Sequence, residues 1–267
     1  MYQSKGTYYT EEHSVSFGDL IQRSSGGATY TDFSVIANSW RDWYLIPSSR
    51  PSIEHPTANI KYIEIPGSDG MIDLTDYLTG SAQYGMRTGS LSFFIDNGHE
   101  NHETIRENMM RVLHGKKIKM RLDDDPNYYY DGRFTVGKLE PGASHSSISI
   151  GYQVDPYKWN IQSVGSSLIL WDPFNFEKDY DYSVVMYPNI TVATGETKTI
   201  QIFSGDYSFH LTVEWVSGSV TASFGGVTRT LTSAGTAVLG QSTKNGYTNL
   251  VVSGNGAIKA LWRGGSL

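Results

Sequence analysis

The sequence has no cysteine in its 267 residues. This absence excludes thiol catalysis, thiolate metal sites and a scaffold held together by disulfides. Proline is unevenly distributed along the chain, and residues 189–267 contain none. No apolar run approaches the roughly 18 residues of a membrane-spanning helix, and no apolar segment follows Met1. The sequence therefore predicts neither a membrane span nor a signal peptide.

An excess of basic residues is missing as well. Residues 1–160 contain 15 Lys and Arg against 20 Asp and Glu, and residues 161–267 contain 6 against 7, which gives the net charge of −6. Proteins that grip the DNA backbone need a basic stripe. The charge pattern therefore argues against tight binding of nucleic acid.

The composition changes near residues 154–163. Asp155-Pro156 interrupts any regular element there, and the residues beyond it are rich in Gly, Ser, Thr and Val. This change predicts two domains, residues 1–160 and residues 161–267.

Short runs of β-branched and aromatic residues fill the second domain. They predict strands at 197–203, 209–216, 219–224, 227–232, 248–253 and 257–263. Gly254-Asn255-Gly256 predicts a tight hairpin between the last two. Strands at this spacing are typical of a β-sandwich.

One segment of the first domain predicts a helix over about residues 101–114. Its apolar side chains recur at the spacing of one helix face, namely Ile105, Met109, Val112 and Leu113. Asn101 suits the N-cap position, and Gly115 suits the position after the last turn.

A β-hairpin is predicted over about residues 117–136. Residues 117–122 alternate between polar and apolar, and residues 128–136 return as a second strand. Asp123, Asp124 and Asp125 lie in the loop between them, where aspartate favours turns. They are predicted to be the solvated tip of a turn, and the sequence contains no recognisable catalytic, cofactor or metal site.

Several short motifs in order resemble the distal tail (Dit) proteins of long, non-contractile-tailed phages. The residues that carry the resemblance are Trp40, Asp42, Trp43, Leu45, Arg50, Pro51, Pro66, Gly67, Gly70, Asp73 and Leu74. The segments 113–116, 123–133, 154–158 and 261–267 are similar to that family too.

The resemblance implies a structural protein of the virion rather than an enzyme. It implies a mainly β (α+β) chain, with an N-terminal ring-forming domain and a C-terminal, galectin-like β-sandwich. A homo-oligomeric ring, typically a hexamer, is expected at the distal end of the tail. Its implied neighbours are the tail-tube protein and a tail-tip hub, fibre or receptor-binding protein. DNA would pass through the channel without specific binding, and no cofactor or membrane is implied.

Aromatic residues of the first domain are the candidates for the ring interface, because aromatic side chains are favoured at interface centres. The candidates are Trp40, Trp43, Tyr128, Tyr129 and Tyr130. The alternative hypothesis is a carbohydrate-binding module that uses Trp215 or Trp262 of the C-terminal sandwich. A third hypothesis is a wall-degrading hydrolase, but no residue pattern in the sequence indicates one.

Overall fold

The computed structural model describes residues 13–25, 28–67, 69–75, 77, 82–96, 101–142, 145–161, 189–205, 207–244, 246–262 and 265–266. The chain divides into two compact units. Unit 1 comprises residues 1–19, 33–158 and 267, and unit 2 comprises residues 20–32 and 159–266. Residues 162 and 163 of the predicted junction lie outside the described residues.

Twelve described strands precede residue 158. They are β1 (Val15–Ser25), β2 (Ala28–Asn38), β3 (Leu45–Pro47), β4 (Ala58–Asn59), β5 (Tyr62–Glu64), β6 (Met71–Asp73), β7 (Gln83–Tyr84), β8 (Arg87–Asp96), β9 (Lys117–Leu122), β10 (Tyr128–Val136), β11 (Glu140–Pro141) and β12 (His145–Val154). Seven of these form a sheet in the order β2-β1-β9-β10-β12-β8-β3. β12 shows why one face of this sheet is a core: its residues alternate between buried and half-exposed along nearly its whole length.

The helix α1 runs from His102 to Leu113 and covers the apolar face of the sheet. Met109 and Leu113 are fully buried, and Ile105 and Val112 pack against the same core. The helix ends where predicted, because Gly115 takes a positive φ of 72° that disfavours other residues. The backbone N–H of Gly115 then donates to the carbonyl of Phe134, 2.8 Å away.

The predicted hairpin is present as β9 and β10. Met120 and Leu122 are buried and Ile118 packs on the core, as the alternation indicated. β9 pairs on its other side with β1, where Val15 lies opposite Leu122 and Phe17 opposite Met120. The first described strand is therefore held by a strand about a hundred residues later in the chain.

Unit 2 is built around one folded sheet. The remaining described strands of the chain are β13 (Lys158–Asn160), β14 (Ile190–Ser204), β15 (His210–Phe224), β16 (Val227–Leu231), β17 (Thr236–Gln241), β18 (Gly246–Leu261) and β19 (Gly265–Ser266). Five form a sheet in the order β14-β18-β15-β16, with β17 added to β15. A straight strand of fifteen residues spans about 50 Å. Nevertheless, the rings of Phe209 and Phe224, at the two ends of β15, lie 6.3 Å apart. The sheet therefore folds over on itself around its own core.

Glycines mark the corner of this folded sheet. Gly218 in β15 lies opposite Gly256 in β18, and Val220 lies opposite Gly254. A Cβ on Gly218 would come within 2.1 Å of the carbonyl oxygen of Asn255, so only glycine allows the backbones to approach this closely. The pairing of β14 with β18 and that of β15 with β18 both shift register at this level.

The structure around these glycines differs from two expectations. The hairpin predicted at Gly254-Asn255-Gly256 is wrong, because these residues continue β18 through the corner. The strands predicted at 209–216 and 219–224 are likewise one strand, β15. The predicted class, mainly β with one main helix and a long hairpin, is confirmed. The likeness of unit 2 to galectins stays a prediction.

Candidate assembly surface

A segment of unit 1 between residues 58 and 84 lies outside its main sheet, and its described residues are called the arm here. Strands β4 and β7 pair at its two ends, which form its base, and β5 and β6 pair between them in the sequence. Neither pair joins the main sheet of unit 1. The base is attached through Tyr84, whose ring meets the ring of Tyr157 edge-on at 6.2 Å.

The arm carries most of the exposed apolar surface among the described residues. Seven of thirteen exposed large hydrophobic side chains belong to it, namely Ile60, Tyr62, Ile63, Ile65, Met71, Ile72 and Tyr77. Every residue of β5 and β6 is exposed, so both faces of this hairpin are open. Contiguous apolar surface of this kind marks interaction sites in soluble proteins.

The arm cannot draw its stability from a core of its own. An isolated two-stranded hairpin is only marginally stable in water. Local hydrogen bonds organise this one: the carboxylate of Asp73 accepts from the backbone N–H of Thr75 at 2.8 Å, and the Thr75 hydroxyl accepts from the N–H of Lys61 at 3.1 Å. The hydrogen bonds from Thr75 lower the pKa of Asp73. A partner that covers the apolar side chains would stabilise the arm further.

The arm was not among the predicted interface residues. The available signal was Ile60, Tyr62, Ile63 and Ile65 within six residues, which leaves an apolar side chain on each face of a short strand. The same stretch carries the Pro66-to-Leu74 motif of the resemblance. The most distinctive motif is therefore also the most exposed apolar part of unit 1.

The five predicted interface residues lie elsewhere in unit 1. Trp43 is 3% exposed and packs on Phe17, with ring centroids 5.8 Å apart. The three consecutive tyrosines, Tyr128, Tyr129 and Tyr130, are buried as well. Trp40 is half-buried in the turn at 39–43 and offers more surface than the other four. The hypothesis that they anchor an interface stays a prediction, and the core of the chain already uses most of their surface.

The aspartate run is a set of ion pairs rather than a solvated tip. Asp123 accepts hydrogen bonds from the hydroxyls of Ser14 and Ser16, from the Asn38 amide at 2.8 Å and from Arg121 at 3.1 Å. Only 16% of its side chain is exposed. The predicted turn is present. The expectation that it is solvated was wrong for Asp123, whose partners come from β1, β2, β9 and the residue before β1, and for Asp124, whose side chain is 13% exposed.

The next two aspartates bind residues from the motifs of the resemblance. Asp124 pairs with Arg50 at 2.8 Å, and Asp125 pairs with Lys158 at 2.8 Å. The Lys158 ammonium also lies 4.2 Å from the centre of the Tyr128 ring. Motifs that are far apart in the sequence thus meet at one loop, and their shared role is to hold that loop in place.

A second polar feature of unit 1 is the buried side chain of Arg87. It is 3% exposed, donates to the carbonyl of Pro156 at 2.7 Å and lies 5.6 Å from the centre of the Tyr130 ring. Burial lowers the pKa of Arg87 and raises the pKa of Tyr130 and of Tyr152. The guanidinium joins β8 to the residues after β12, which is a structural role.

The two tryptophans considered for sugar binding belong to the core of unit 2. Trp262 is 5% exposed and stacks on Phe209 at 5.7 Å. Trp215 packs against the same core, and its indole N–H donates to the carbonyl of Gly218 at 2.8 Å. Trp262 therefore presents no open face on which a sugar ring could stack, whereas Trp215 is only partly buried.

Within the described ranges, no group of three or more His, Asp or Glu side chains could hold a metal ion. The helix seen in these ranges is too short and too polar to span a bilayer.

The described chain has the fold of a phage distal tail protein. It is similar to the crystal structure of SPP1 Dit (gp 19.1), a paradigm of the hub adsorption apparatus in phages that infect Gram-positive bacteria. The TM-score is 0.54 at 12% sequence identity, and the match covers 84% of this chain and 94% of that one. No protein-family model and no curated protein matches the sequence. The resemblance that the motifs indicated is thus confirmed at the level of the fold.

Proposed function

We propose that the chain is a structural subunit of a phage tail that forms a ring at the distal end of the tail tube. The ring, a hexamer in this proposal, joins the tube to the tail-tip hub, fibre or baseplate. It leaves a channel through which DNA passes without specific binding. The protein is made in the host cytoplasm and acts in the virion.

The fold likeness carries this proposal. It extends along most of both chains rather than over one common domain. SPP1 Dit is part of a hub adsorption apparatus, and a chain of the same fold suits the same kind of place in a tail. The net charge of −6 is compatible with a conduit, since a basic lining would hold the DNA backbone.

The arm supports the assembly part of the proposal. A ring needs an interface between different patches on neighbouring subunits. The open hairpin of β5 and β6 supplies one such patch, because its apolar side chains have no partner surface within the main sheet of unit 1.

A structural role also fits the sequence, which contains no recognisable catalytic motif. No observation favours glycan binding by unit 2 over this role.

The mass of the full chain in solution tests the proposal. A hexamer has six times the chain mass of 29.6 kDa, about 178 kDa, which light scattering coupled to gel filtration resolves from a monomer. Electron microscopy of the same sample shows whether the particles are closed rings. A monomer at every concentration, and also with the tail-tube protein added, would contradict the proposal.

A matched pair of variants tests the arm. Met71 and Tyr247 are each 64% exposed, and they lie in the arm and in unit 2 respectively. Met71→Lys should weaken the ring, because it places a charge where an apolar contact is expected, whereas Tyr247→Lys should leave it intact. If the two variants form rings equally well, the arm is not part of the interface.

A further inference from the structure

A groove on unit 1 combines apolar and basic side chains, which complement the apolar and acidic side chains of the arm. This basic groove encloses a cavity of about 520 Å³ and is lined by Ile36, Arg111, Val112 and residues 116–119, together with two aspartates. It lies where the end of α1 meets β9 and β1. We propose that it receives the arm of a second copy of this chain, a proposal that rests on the ring described above.

The apolar part of the groove matches the apolar part of the arm. Ile36 is 59% exposed, which makes it one of the few large hydrophobic side chains outside the arm that unit 1 leaves open. Val112 and Ile118 lie beside it in the groove and are only partly buried. Covering these side chains with Ile63, Met71 or their neighbours removes apolar surface from water on both partners.

The charges of the two surfaces are opposite. The groove has four basic side chains, Arg111, Lys116, Lys117 and Lys119, against Asp19 and Asp131, a net charge of +2. Residues 60–74 of the arm have three acidic side chains and one basic one, a net charge of −2. Complementary charge of this kind fixes the register of an interface and suppresses wrong partners.

Internal ion pairs leave part of the positive charge available. Lys119 binds Asp19 at 2.5 Å, and Lys117 lies at a longer 3.6 Å from Asp131 with 60% of its side chain exposed. On the arm, the exposed Glu64 lies in β5 between the apolar side chains of Ile63 and Ile65. Lys117 and Glu64 are therefore the residues whose charge can be reversed with least effect on the fold.

The arrangement also suits closure. The arm and the groove are different patches of one unit, so each subunit offers its arm to one neighbour and its groove to the other. Such heterologous contacts generate a ring when the rotation closes.

The absence of cysteine allows a direct test by crosslinking in the full chain. Ile36→Cys and Ile63→Cys together, treated with a bis-maleimide, should give a ladder of covalent oligomers that ends at the ring. A mixture of the two single variants should give covalent dimers only, because each chain then has one reactive position. Tyr247→Cys combined with Ile63→Cys is the control and should give no ladder.

Charge reversal tests the same contact without a reagent. Lys117→Glu and Glu64→Lys should each raise the protein concentration needed for ring formation by about tenfold or more, because like charges then face each other. The double variant should restore the ring, since the two charges are exchanged. Arg229→Glu reverses an exposed charge of unit 2 and should change nothing.

The outcomes separate this inference from the proposed function. Rings of the natural chain without the Ile36–Ile63 ladder, or without rescue by the double variant, would overturn the groove as the seat of the arm and leave the ring standing. A natural chain that stays monomeric overturns both. Circular dichroism of each variant shows that the fold is kept.

Discussion

At the scale of single residues, Asp123 shows how a carboxylate in a turn becomes part of the framework. Its oxygens accept from Ser14, Ser16, Asn38 and Arg121, so the lone pairs of a largely buried anion are satisfied by protein groups. Asp125 has one ion pair, and 37% of its side chain is exposed. Two aspartates of the same turn, Asp123 and Asp125, therefore differ in what they contribute to stability.

This difference gives a prediction for Asp→Asn changes. Asp123→Asn should lower the free energy of unfolding by about 1–3 kcal/mol, because it turns charge-assisted acceptors into an amide that cannot accept from every donor. Asp125→Asn is the matched control and should stay within about 1 kcal/mol, as exposed ion pairs do. Urea denaturation measures both. Equal losses of unfolding free energy at the two positions would show that the additional hydrogen bonds of Asp123 contribute no extra stability.

The buried tyrosines near Arg87 predict a loss of stability in alkali. Burial raises the folded-state pKa of Tyr130 and of Tyr152 above the ordinary value of 10.0. The unfolded chain therefore ionises first as pH rises, so the contribution of these tyrosines is complete below about pH 10 and is lost above it. Unfolding curves measured from about pH 8 to about pH 11, a range that brackets the ordinary pKa of tyrosine, should show the free energy of unfolding decline. Tyr130→Phe should reduce its slope, and an unchanged slope would contradict the assignment.

At the scale of elements, the corner of the folded sheet depends on glycine. Gly218 has a φ of 71°, and an added Cβ would meet the carbonyl of Asn255 at 2.1 Å. Strain of that kind costs about 1–3 kcal/mol per residue, and the close contact adds to it. The corner is thus set by backbone geometry as much as by the apolar core.

Gly218→Ala should therefore destabilise unit 2 by more than about 2 kcal/mol. Gly205→Ala is the control, because a Cβ there meets nothing within 4 Å and its φ is not in the left-handed region. That variant should stay within about 0.5 kcal/mol. Thermal unfolding followed by circular dichroism compares them, and two equal melting temperatures would show that the corner tolerates a side chain.

Local periodicity predicted the elements whose determinants are local. The stripe of α1, from Ile105 to Leu113, and the alternation of β9 needed only the residues within each element. The corner was misread because glycine suits a turn and a close crossing of strands equally well, and only the pairing of Gly218 with Gly256 distinguishes the two.

The candidate surface was less predictable, because burial depends on distant residues. Tyr128 to Tyr130 look like contact residues in the sequence, yet β10 lies in the middle of the sheet and buries them. Three partners of Asp123, namely Ser14, Ser16 and Asn38, lie 85–109 residues away in the sequence, which no local pattern reports. The motifs lie in the arm, but its exposure follows from the strand pairing, because no described strand of the main sheet pairs with it.

At the scale of the whole molecule, each unit has its own core. Among the described residues, the sixteen buried residues of the second core lie between Ile190 and Trp262. None of these sixteen belongs to residues 20–32, although that segment is assigned to unit 2. This arrangement favours independent folding of the C-terminal part, as the predicted domains 1–160 and 161–267 require.

Limited proteolysis tests that division. Cleavage is expected near residues 158–180, most of which lie outside the described residues. The fragment of about residues 165–267 should then show a cooperative thermal transition when produced alone. A fragment that stays unfolded while the full chain is stable would place the boundary elsewhere.

The pairing of β1 with β9 also has a consequence for synthesis on the ribosome. Val15 lies opposite Leu122, so β1 has no such partner until more than a hundred further residues have been translated. At about 5–20 residues per second this takes on the order of ten seconds. During that interval Val15 and Phe17, which are fully buried in the folded chain, lack the neighbouring strand β9. The nascent chain therefore passes through a long vulnerable period set by the order of its strands.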